Sequence, residues 1–324
     1  ANARVLLGEV LDIRVARREV VLADLTIRYD YLILAAGAEV SYFGHDAWRS
    51  IAPGLKDLKD AGEIRSRVFC AFEAAEKAEQ EKERQQWLTF AVIGAGPTGV
   101  ELSGALAEIA RDTLRGNFRN IHPEEARIVL LDLAPRVLPA FPDPLSVDAE
   151  KALKKIGVEC ILQAAVENVD EHGVVARTPR GLIRIPARTV LWAAGIRSNR
   201  LATVLHERAG VKLDRQGRVL VEKDCSLPGH PEVFVIGDMA AFRDGQGQAL
   251  PGLAPVAIQQ GAYVGRLIFR RLRGETMGAF HYRDKGMLAV IGRNLAVATF
   301  GWFRASGLLA WVLWLFVHLM YLVG

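Results

Sequence analysis

The sequence has little cysteine. Its 324 residues include only Cys70, Cys160 and Cys225, and no C-x-x-C pair occurs. Thiols spaced this far apart argue against a zinc site and against a vicinal redox disulfide in this chain, and they are typical of a reducing compartment. We therefore expect no bound metal and predict that all three cysteines are small buried side chains.

The sequence also lacks a strong excess of charge of either sign. Its formal net charge is +4, whereas a domain that neutralises nucleic-acid phosphates carries a larger basic excess, so nucleic acid is not an expected partner. The apolar content of 51% is enough for two domain cores. Basic residues are nevertheless concentrated near the end, at Arg266, Arg270, Arg271, Arg273, Arg283, Lys285, Arg293 and Arg304.

A glycine-rich turn lies between a predicted strand and a predicted helix. The apolar run Phe90–Ile93 predicts a strand buried on both faces, and a helix is predicted over 97–114. Between them, Gly94, Gly96 and Gly99 have the spacing G-x-G-x-x-G. The first glycine allows a tight turn, the second lets the backbone approach a pyrophosphate, and the third allows close helix–strand packing. This context favours a dinucleotide site over a turn of purely structural use.

A carboxylate follows the next predicted strand. Arg127–Leu131 is apolar and ends at Asp132, in the place of the group that binds the adenine ribose hydroxyls, which favours NADH over NADPH. The separation from the glycines is long because 116–125 is predicted as an inserted loop. Arg136 offers the alternative of a 2′-phosphate contact, but we favour an exposed loop arginine.

The remaining pattern alternates strands and helices and predicts an α/β protein. The other predicted strands are 4–7, 10–13, 19–22, 26–29, 31–34, 159–162, 166–169, 174–177, 182–185, 189–192, 219–222 and 233–236, with β-like alternation over 285–300. The other predicted helices are 55–86, 146–156 and 258–272, the first of them solvated and of mixed charge. Asp238, directly after Gly237, is predicted either to bond a hydroxyl of an extended ligand or to cap a helix.

The end of the chain is an apolar run. Residues 305–324 contain no charged side chain, and His318 is their only ionisable group. The run has the length of a membrane-span candidate, and tryptophans such as Trp311 and Trp314 are typical of a lipid interface. The basic residues before it would be attracted to anionic lipid on the cytoplasmic face. A buried core helix is the alternative, and the sequence leaves open whether the run spans the bilayer or lies in one leaflet.

Several separated segments together resemble one family. The segments DYLILAAG (30–37), VIGAGPTGVE (92–101), WAAG (192–195) and VIGD (235–238) occur in the order seen in the two-dinucleotide-binding flavoproteins. PGLAPVAIQQ (251–260), YRDKGMLAVIGR (282–293) and the apolar tail more narrowly resemble the type II, non-proton-pumping NADH:quinone oxidoreductases, over essentially the whole chain. The resemblance implies an α/β enzyme with two Rossmann-like domains, an FAD domain interrupted by an NADH domain, and a C-terminal membrane-associating helix.

The resemblance also implies the site residues. Those implied for NADH are Gly94, Gly96, Pro97, Thr98, Gly99, Asp132, Ala194 and Gly195. Those implied for FAD are Ala36, Gly37, Gly237, Asp238 and Ala254. Glu101 would lie beside flavin and nicotinamide, with a first-turn glutamate favoured by the helix dipole as the alternative. Lys285 would lie near the flavin, or be an exposed lysine, and Gln259 and Gln260 would lie at the quinone headgroup, or on a helix surface.

The domains and the activity follow from the same resemblance. The FAD domain would comprise 1–55 and 205–280, with a connecting helix at 56–86, an NADH domain at 87–204 and a membrane-anchoring region at 281–324. The enzyme would pass a hydride from NADH to FAD and then two electrons to a membrane quinone. It would be peripheral on the cytoplasmic side of the inner membrane, with the bilayer as a partner and a homodimer allowed.

The chain departs from the family pattern at two places. Pro255 stands where many relatives have glutamine, which removes a donor near the quinone. Only one G-x-G-x-x-G occurs, so the resemblance predicts an N-terminally truncated fragment without the FAD pyrophosphate turn. The alternatives are a sulfide:quinone or disulfide reductase, which requires paired cysteines, and a non-catalytic NADH-binding fragment attached to the membrane.

Overall fold

The computed structural model describes residues 3–323, with side chains described as far as Tyr321. The chain divides into two compact units. The first unit combines the residues up to Glu39 with Ile196–Asp284, and the second combines Val40–Gly195 with the residues from Lys285 onward. Each unit is therefore assembled from two separate stretches of sequence.

The helices and strands of residues 3–323 alternate along much of the chain. The α-helices are α1 (Leu58–Lys77), α2 (Glu81–Trp87), α3 (Pro97–Glu108), α4 (Asp143–Lys155), α5 (Leu201–Ala209), α6 (Ala254–Arg271) and α7 (Leu308–Val323). The strands are β1 (Val10–Arg14), β2 (Glu19–Leu22), β3 (Thr26–Arg28), β4 (Leu32–Leu34), β5 (Ala38–Val40), β6 (Thr89–Ile93), β7 (Arg127–Leu131), β8 (Val158–Ile161), β9 (Ala165–Asp170), β10 (Gly173–Thr178), β11 (Gly181–Pro186), β12 (Thr189–Trp192), β13 (Ile196–Ser198), β14 (Val219–Leu220), β15 (Ser226–Leu227), β16 (His230–Val235), β17 (Ala240–Ala241), β18 (Met287–Gly292), β19 (Leu295–Phe300) and β20 (Phe303–Gly307).

The second unit is built on a parallel sheet with the strand order β12-β6-β7-β8. All five residues of β6 are buried, as expected of a central strand covered on both faces. The register pairs Ile93 with Leu131 on one side and with Trp192 on the other. Because these three strands run in the same direction, the segments that follow them meet at one edge of the sheet.

The second unit also contains two antiparallel sheets, β11-β10-β9 and β18-β19-β20. Helix α3 lies unusually close to β18, because a Cβ on Gly104 would overlap the carbonyl oxygen of Ile291. Only glycine permits this separation. The helix then continues into a π-helical turn at Ile109–Thr113.

Among the described residues, three small sheets lie wholly within the first unit. β1, β2 and β3 form an antiparallel sheet, β14 pairs with β17, and β15, β16 and β4 form the third. In that third sheet β16 and β4 are parallel neighbours, and Val235 is paired with Leu34. The backbone N–H of Ile236 donates to the carbonyl oxygen of Leu34 at 3.0 Å, so the segments after the two strands leave the same edge.

The predicted helix at 55–86 is wrong as a single helix, because α1 ends at Lys77 and α2 begins at Glu81. Ala78 is extended, with φ −68° and ψ 122°. The carboxylate of Glu76 accepts hydrogen bonds from the backbone of residues 119–121, and Arg84 Nη2 donates to the carbonyl oxygen of Ala78 at 2.9 Å. These contacts favour a break between α1 and α2 over one continuous helix. The sequence contains no proline or glycine that predicts this break.

Other elements differ at their ends. Residues 4–7 form no strand, while α5 and β20 were not predicted. Helices α4 and α6 begin at Asp143 and Ala254, three and four residues before the predicted starts at 146 and 258. Pro144 and Pro255 occupy their first turns, where a missing N–H costs no hydrogen bond.

The apolar tail is divided between a strand and a helix. Residues 305–307 belong to β20, so α7 begins at Leu308 rather than within the preceding residues. Residues 3–323 contain no helix that combines the length and the hydropathy needed to cross a bilayer. Large apolar side chains on one face of α7, such as Phe316 at 61% and Met320 at 60%, are exposed. This exposed face does not fit the buried-core alternative.

The cysteines do not share one environment. Cys70 is exposed on α1 and Cys160 is partly buried, so the prediction of three buried thiols is wrong for Cys70 and holds fully only for Cys225. The burial pattern of α1 shows the reason, because its core contacts are made by neighbours such as Val68 and Phe72. Burial raises the pKa of Cys225 to about 12 and the pKa of Cys160 to about 11, which makes both thiols inert at neutral pH.

Candidate functional site

A cavity of about 380 Å³ lies at the carboxyl edge of the parallel sheet in the second unit. Gly94, Asp132, Ala194 and Gly195 line it, directly after β6, β7 and β12. Ligands of open α/β sheets bind in the crevice outside the carboxyl ends of the strands. The structure therefore brings together four residues that the sequence predicts for NADH.

The three glycines of the turn have different surroundings. Gly94 has φ +107°, and a Cβ there would lie 2.6 Å from the backbone of Ala193 and Ala194. A Cβ on Gly99 would overlap the carbonyl oxygen of Gly94, whereas a Cβ on Gly96 would have nothing within 4 Å. Backbone packing thus requires glycine at 94 and 99. At 96 the absent side chain leaves open space beside the start of α3.

The first turn of α3 contains Pro97 and Thr98, both exposed. Pro97 begins the helix, and in the described structure no side chain caps it. Free N–H groups at a helix start, together with the positive end of the helix dipole, attract phosphate oxygens. This turn is consequently a suitable partner for a pyrophosphate.

Asp132 joins the second strand of the site to the glycine turn. One carboxylate oxygen accepts from the backbone N–H of Ala95 at 2.5 Å, and the other accepts from that of Ala134 at 2.6 Å. Each oxygen retains acceptor capacity for a hydroxyl. Arg136 forms an ion pair with Asp143 and donates to the carbonyl oxygen of Pro139 at 2.9 Å, so it is engaged within its own loop.

Sequence reasoning missed the aromatic wall of this cavity. Tyr42, Phe43, Trp48 and Trp192 line it. The ring centroid of Trp192 lies 5.2 Å from that of Tyr42 and 5.6 Å from that of Trp48, and its Nε1 donates to the carbonyl oxygen of Ser41 at 2.9 Å. The dense aromatic segment YFGHDAW (42–48) was the available signal. Such a wall can pack against the planar rings of a dinucleotide.

Glu101 lies one turn into α3 and faces β18. Its Oε1 accepts from the backbone N–H of Val290 at 3.3 Å. Burial raises the pKa of Glu101, against the opposing effects of the Val290 hydrogen bond and the charge of His318. The carboxyl group therefore keeps its proton to a higher pH than an exposed glutamate does. Lys285 is exposed, two residues before β18.

The predicted FAD residues meet at one edge of the first unit. Ala36 and Gly37 follow β4, while Gly237 and Asp238 follow its parallel neighbour β16. Gly37 has φ +71°, and nothing lies within 4 Å of the position of a Cβ. Open backbone there and a carboxylate at Asp238 fit an extended ligand that carries hydroxyls.

Helix α6 begins beside this edge. A Cβ on Gly237 would lie 3.3 Å from the Cβ of Ala257, and a Cβ on Gly252 would lie 3.1 Å from Oδ1 of Asp238. Ala254 is the first residue of α6, and in the described structure no side chain caps the helix. Its positive end favours an electron-rich group. The residues present therefore fit the hydroxyl chain and ring system of a flavin.

The two adjacent glutamines of α6 bind backbone groups. Gln260 is 1% exposed, and its Oε1 accepts from the backbone N–H of Gly237 at 2.7 Å. The amide of Gln259 donates to the carbonyl oxygen of Arg283 at 2.9 Å and accepts from its N–H at 3.0 Å. The surface-helix alternative is therefore wrong for Gln260. Contact of this pair with a quinone stays a prediction.

Comparison with known proteins extends these observations. Residues 1–261 match the family described as pyridine nucleotide-disulphide oxidoreductase. The chain is 45% identical, over its full length and 70% of the relative, to the type II NADH:quinone oxidoreductase Ndh of Mycobacterium tuberculosis. It is 32% identical to the type II NADH:quinone oxidoreductase of Staphylococcus haemolyticus, over 82% of this chain and 64% of that one.

A solved structure supports the fold. The structure of NDH2 from Plasmodium falciparum in complex with NADH superposes with a TM-score of 0.89, covering 98% of this chain and 80% of that chain at 18% identity. The predicted fold class, α/β with two Rossmann-like domains, is confirmed. The chain belongs to the pyridine nucleotide-disulphide oxidoreductases and, within them, to the type II NADH:quinone oxidoreductases.

Proposed function

We propose that this chain is a flavoenzyme that oxidises NADH and reduces a membrane quinone without pumping protons. We further propose that the first unit holds FAD and the second holds NADH. The observation that carries the proposal is the cavity of about 380 Å³ that Gly94, Asp132 and Gly195 line at the carboxyl edge of the parallel sheet. Its position is that of a dinucleotide site, in a chain whose relatives carry the same activity in their names.

The second unit orients NADH. The open space at Gly96 and the uncapped N-terminus of α3, with Pro97 and Thr98, receive the pyrophosphate. Asp132 accepts hydrogen bonds from the adenine ribose hydroxyls. A 2′-phosphate would instead meet the negative charge of Asp132, so NADH is preferred to NADPH. Ala194 and Gly195 also line the cavity.

The first unit would hold FAD through Ala36, Gly37, Gly237, Asp238 and Ala254. When bound, FAD supplies the two-electron chemistry, because it accepts a hydride and returns electrons to a quinone. Asp238 fixes hydroxyls of the ligand, and the open backbone at Gly37 admits its flat surface. The buried amide of Gln260 holds the Gly237 turn in place.

The second unit would also supply a proton for quinone reduction, which consumes two. Glu101 is the candidate, because burial raises the pKa of its carboxyl group and so favours the protonated form. The backbone N–H of Val290 fixes the orientation of its Oε1. We propose Lys285 as a neighbouring cation that orients the acceptor. Gln259 and Gln260 would act on the quinone indirectly, since their amides fix the backbone at Arg283 and Gly237.

The second unit would attach the enzyme to lipid. The exposed face of α7, which includes Phe316 and Met320, is apolar, and Trp302 is 92% exposed at the β19–β20 turn. Exposed apolar and tryptophan side chains with a nearby cation, Arg304, are typical of helices that lie in a bilayer interface. We propose that this surface makes a peripheral contact with the cytoplasmic face of the inner membrane. We also propose that a homodimer is compatible with this membrane contact.

The test is a steady-state assay of the FAD-loaded protein with NADH and a soluble quinone. We expect NADH oxidation that depends on the quinone, and a lower rate with NADPH. Loss of the NADH preference in Asp132→Ala, with flavin content unchanged, would link the activity to the cavity. Absence of NADH oxidation by protein that retains FAD would overturn the proposal.

A further inference from the structure

Another cavity, of about 560 Å³, lies in the first unit, and its cationic side chains have no role in the proposed reaction. It lies between α6 and the extended segment 277–283. Ile258, Ala262, Met277 and Phe280 give it an apolar wall. Its volume is within the range of about 300–1,000 Å³ that is typical of small-molecule sites.

The neutral polar groups at this cavity already have backbone partners. The side-chain amide of Gln259 exchanges two hydrogen bonds with the backbone of Arg283. The hydroxyl of Tyr263 donates to the carbonyl oxygen of Gly278 at 2.6 Å. These bonds fix segment 277–283 against α6. The hydroxyl hydrogen of Tyr263 is thereby used, and one of the two N–H donors of the Gln259 amide is used.

The remaining polar side chains at the cavity are Arg266, His281 and Arg283. All three are exposed, and none has an ion-pair partner among the residues that the structure describes. Two arginines close by in sequence, Arg270 and Arg271, form ion pairs instead.

Arg270 Nε lies 3.9 Å from Oε2 of Glu275, and Arg271 Nη2 lies 2.7 Å from Oδ2 of Asp224. Among the described residues no aspartate or glutamate lines the cavity. The two unpaired arginines beside the apolar wall therefore give this cavity positive charge only.

We propose that this cavity binds the headgroup of an anionic phospholipid. The side chains of Arg266 and Arg283 contact the phosphate, because a guanidinium matches phosphate oxygens in a bidentate geometry. Ile258 and Met277 contact the glycerol and the first acyl carbons. A neutral quinone would leave both cations without a counter-charge. The proposal rests on the membrane attachment proposed above, and it adds selectivity for lipid charge through residues other than those of α7.

The test measures binding of the full chain to vesicles of phosphatidylcholine alone and of phosphatidylcholine with phosphatidylglycerol. We expect tighter binding to the anionic vesicles. In the double variant Arg266→Ala/Arg283→Ala, the ratio of the affinities for anionic and neutral vesicles should fall about 25-fold. This is about fivefold for each arginine, which corresponds to about 1 kcal/mol per cation. Arg273→Ala is the matched control, because Arg273 stacks on Phe269 and does not line the cavity. It should change the preference less than twofold.

A second variant separates a site from diffuse surface charge. Ala262→Trp fills the cavity without changing charge, and Ala262 is exposed, so the fold should tolerate it. A headgroup site requires that this variant also lose the anionic preference. Retention of the preference in Ala262→Trp, or an equal loss in Arg273→Ala, would overturn the proposal.

Two further measurements distinguish other ligands. Full competition by inorganic phosphate at millimolar concentration would show a free-phosphate site and contradict the lipid assignment. A raised KM for a soluble quinone in Arg266→Ala, with vesicle binding unchanged, would assign the cavity to the quinone path and would also contradict it. Unchanged NADH oxidation in Arg266→Ala, together with the loss of anionic preference, is the expected result. Vesicle binding is measured without turnover, so its failure is distinguishable from failure of the proposed enzyme activity.

Discussion

Helices α3 and α6 begin at comparable positions in their units, but different groups shape the two helix starts. Each starts with a proline in its first turn beside the carboxyl end of a parallel strand, α3 in the second unit and α6 in the first. At α3 no described side chain caps the start of the helix, and glycines allow the backbone itself to approach a ligand. At α6 two glutamine amides bind the backbone of distant segments.

The difference shows two ways of building a ligand site. The start of α3 depends on the absence of side chains at its glycines, so a side chain added there disturbs the site. The start of α6 works through side chains that hold Gly237 and Arg283, so truncation disturbs it. The four predictions below separate these two modes.

The largest effect is expected for Gly99→Ala. Its Cβ would overlap the carbonyl oxygen of Gly94, a backbone atom that cannot move without displacing the turn. We expect a loss of about 3 kcal/mol or more in the free energy of unfolding, measured by chemical denaturation.

Gly96→Ala is the matched control for that substitution. Its Cβ would face open space, and the residue has φ −71°, so stability should change by less than about 1 kcal/mol while the KM for NADH rises. Equal stability losses in Gly99→Ala and Gly96→Ala would contradict the distinct roles of the two glycines.

The next effect concerns the glutamines of α6. Gln260→Ala leaves the N–H of Gly237 without its buried acceptor, so we expect a loss of about 1–3 kcal/mol in unfolding free energy and weaker FAD retention. Gln259→Ala should cost less than about 1 kcal/mol, because solvent can reach the Arg283 backbone. Denaturation and flavin content after dialysis measure both effects. A larger loss of unfolding free energy in Gln259→Ala than in Gln260→Ala would contradict the greater structural role given to Gln260.

A smaller effect is expected for Asp132→Asn. The amide oxygen preserves one acceptor for the backbone N–H groups of Ala95 and Ala134, but the negative charge is lost. We expect a rise of about tenfold in the KM for NADH and a smaller discrimination against NADPH, from the loss of one charge-assisted hydrogen bond. Steady-state kinetics with both nucleotides measure this. An unchanged ratio of kcat/KM values for NADH and NADPH would show that Asp132 does not select the ribose.

The smallest effect concerns Glu101→Gln. Because burial raises the pKa of Glu101 in the folded protein, the folded state binds its proton more tightly than the unfolded state. Stability of the parent protein should therefore fall as pH rises from the usual range of a glutamate through the raised pKa. The glutamine variant lacks this loss, so it should be more stable than the parent at neutral pH, with no gain in acid. A stability difference independent of pH would contradict a buried, proton-holding carboxyl.

Much of the second unit was predictable because its signals are local. The run before Gly94 is buried on both faces, the glycine spacing reflects local backbone geometry, and Asp132 directly follows a strand whose bounds match the prediction. The structure places the residues predicted for NADH around one cavity or at the first turn of α3. Their binding of NADH stays a prediction.

Features that depend on distant partners were not predictable. The break after Lys77 depends on contacts with residues 119–121, and the aromatic wall depends on Trp192 lying beside residues 42–48. The glutamine amides are engaged 23 and 24 residues away along the chain. The sequence shows the residue types at these positions but not the partners.

The most direct test of the account is anaerobic mixing of the FAD-loaded protein with NADH, followed by a soluble quinone. Flavin absorbance should bleach on addition of NADH and return on addition of the quinone, and bleaching should require a higher NADH concentration in Gly96→Ala. Flavin that stays oxidised, in a protein shown by separate titration to bind NADH, would contradict the account.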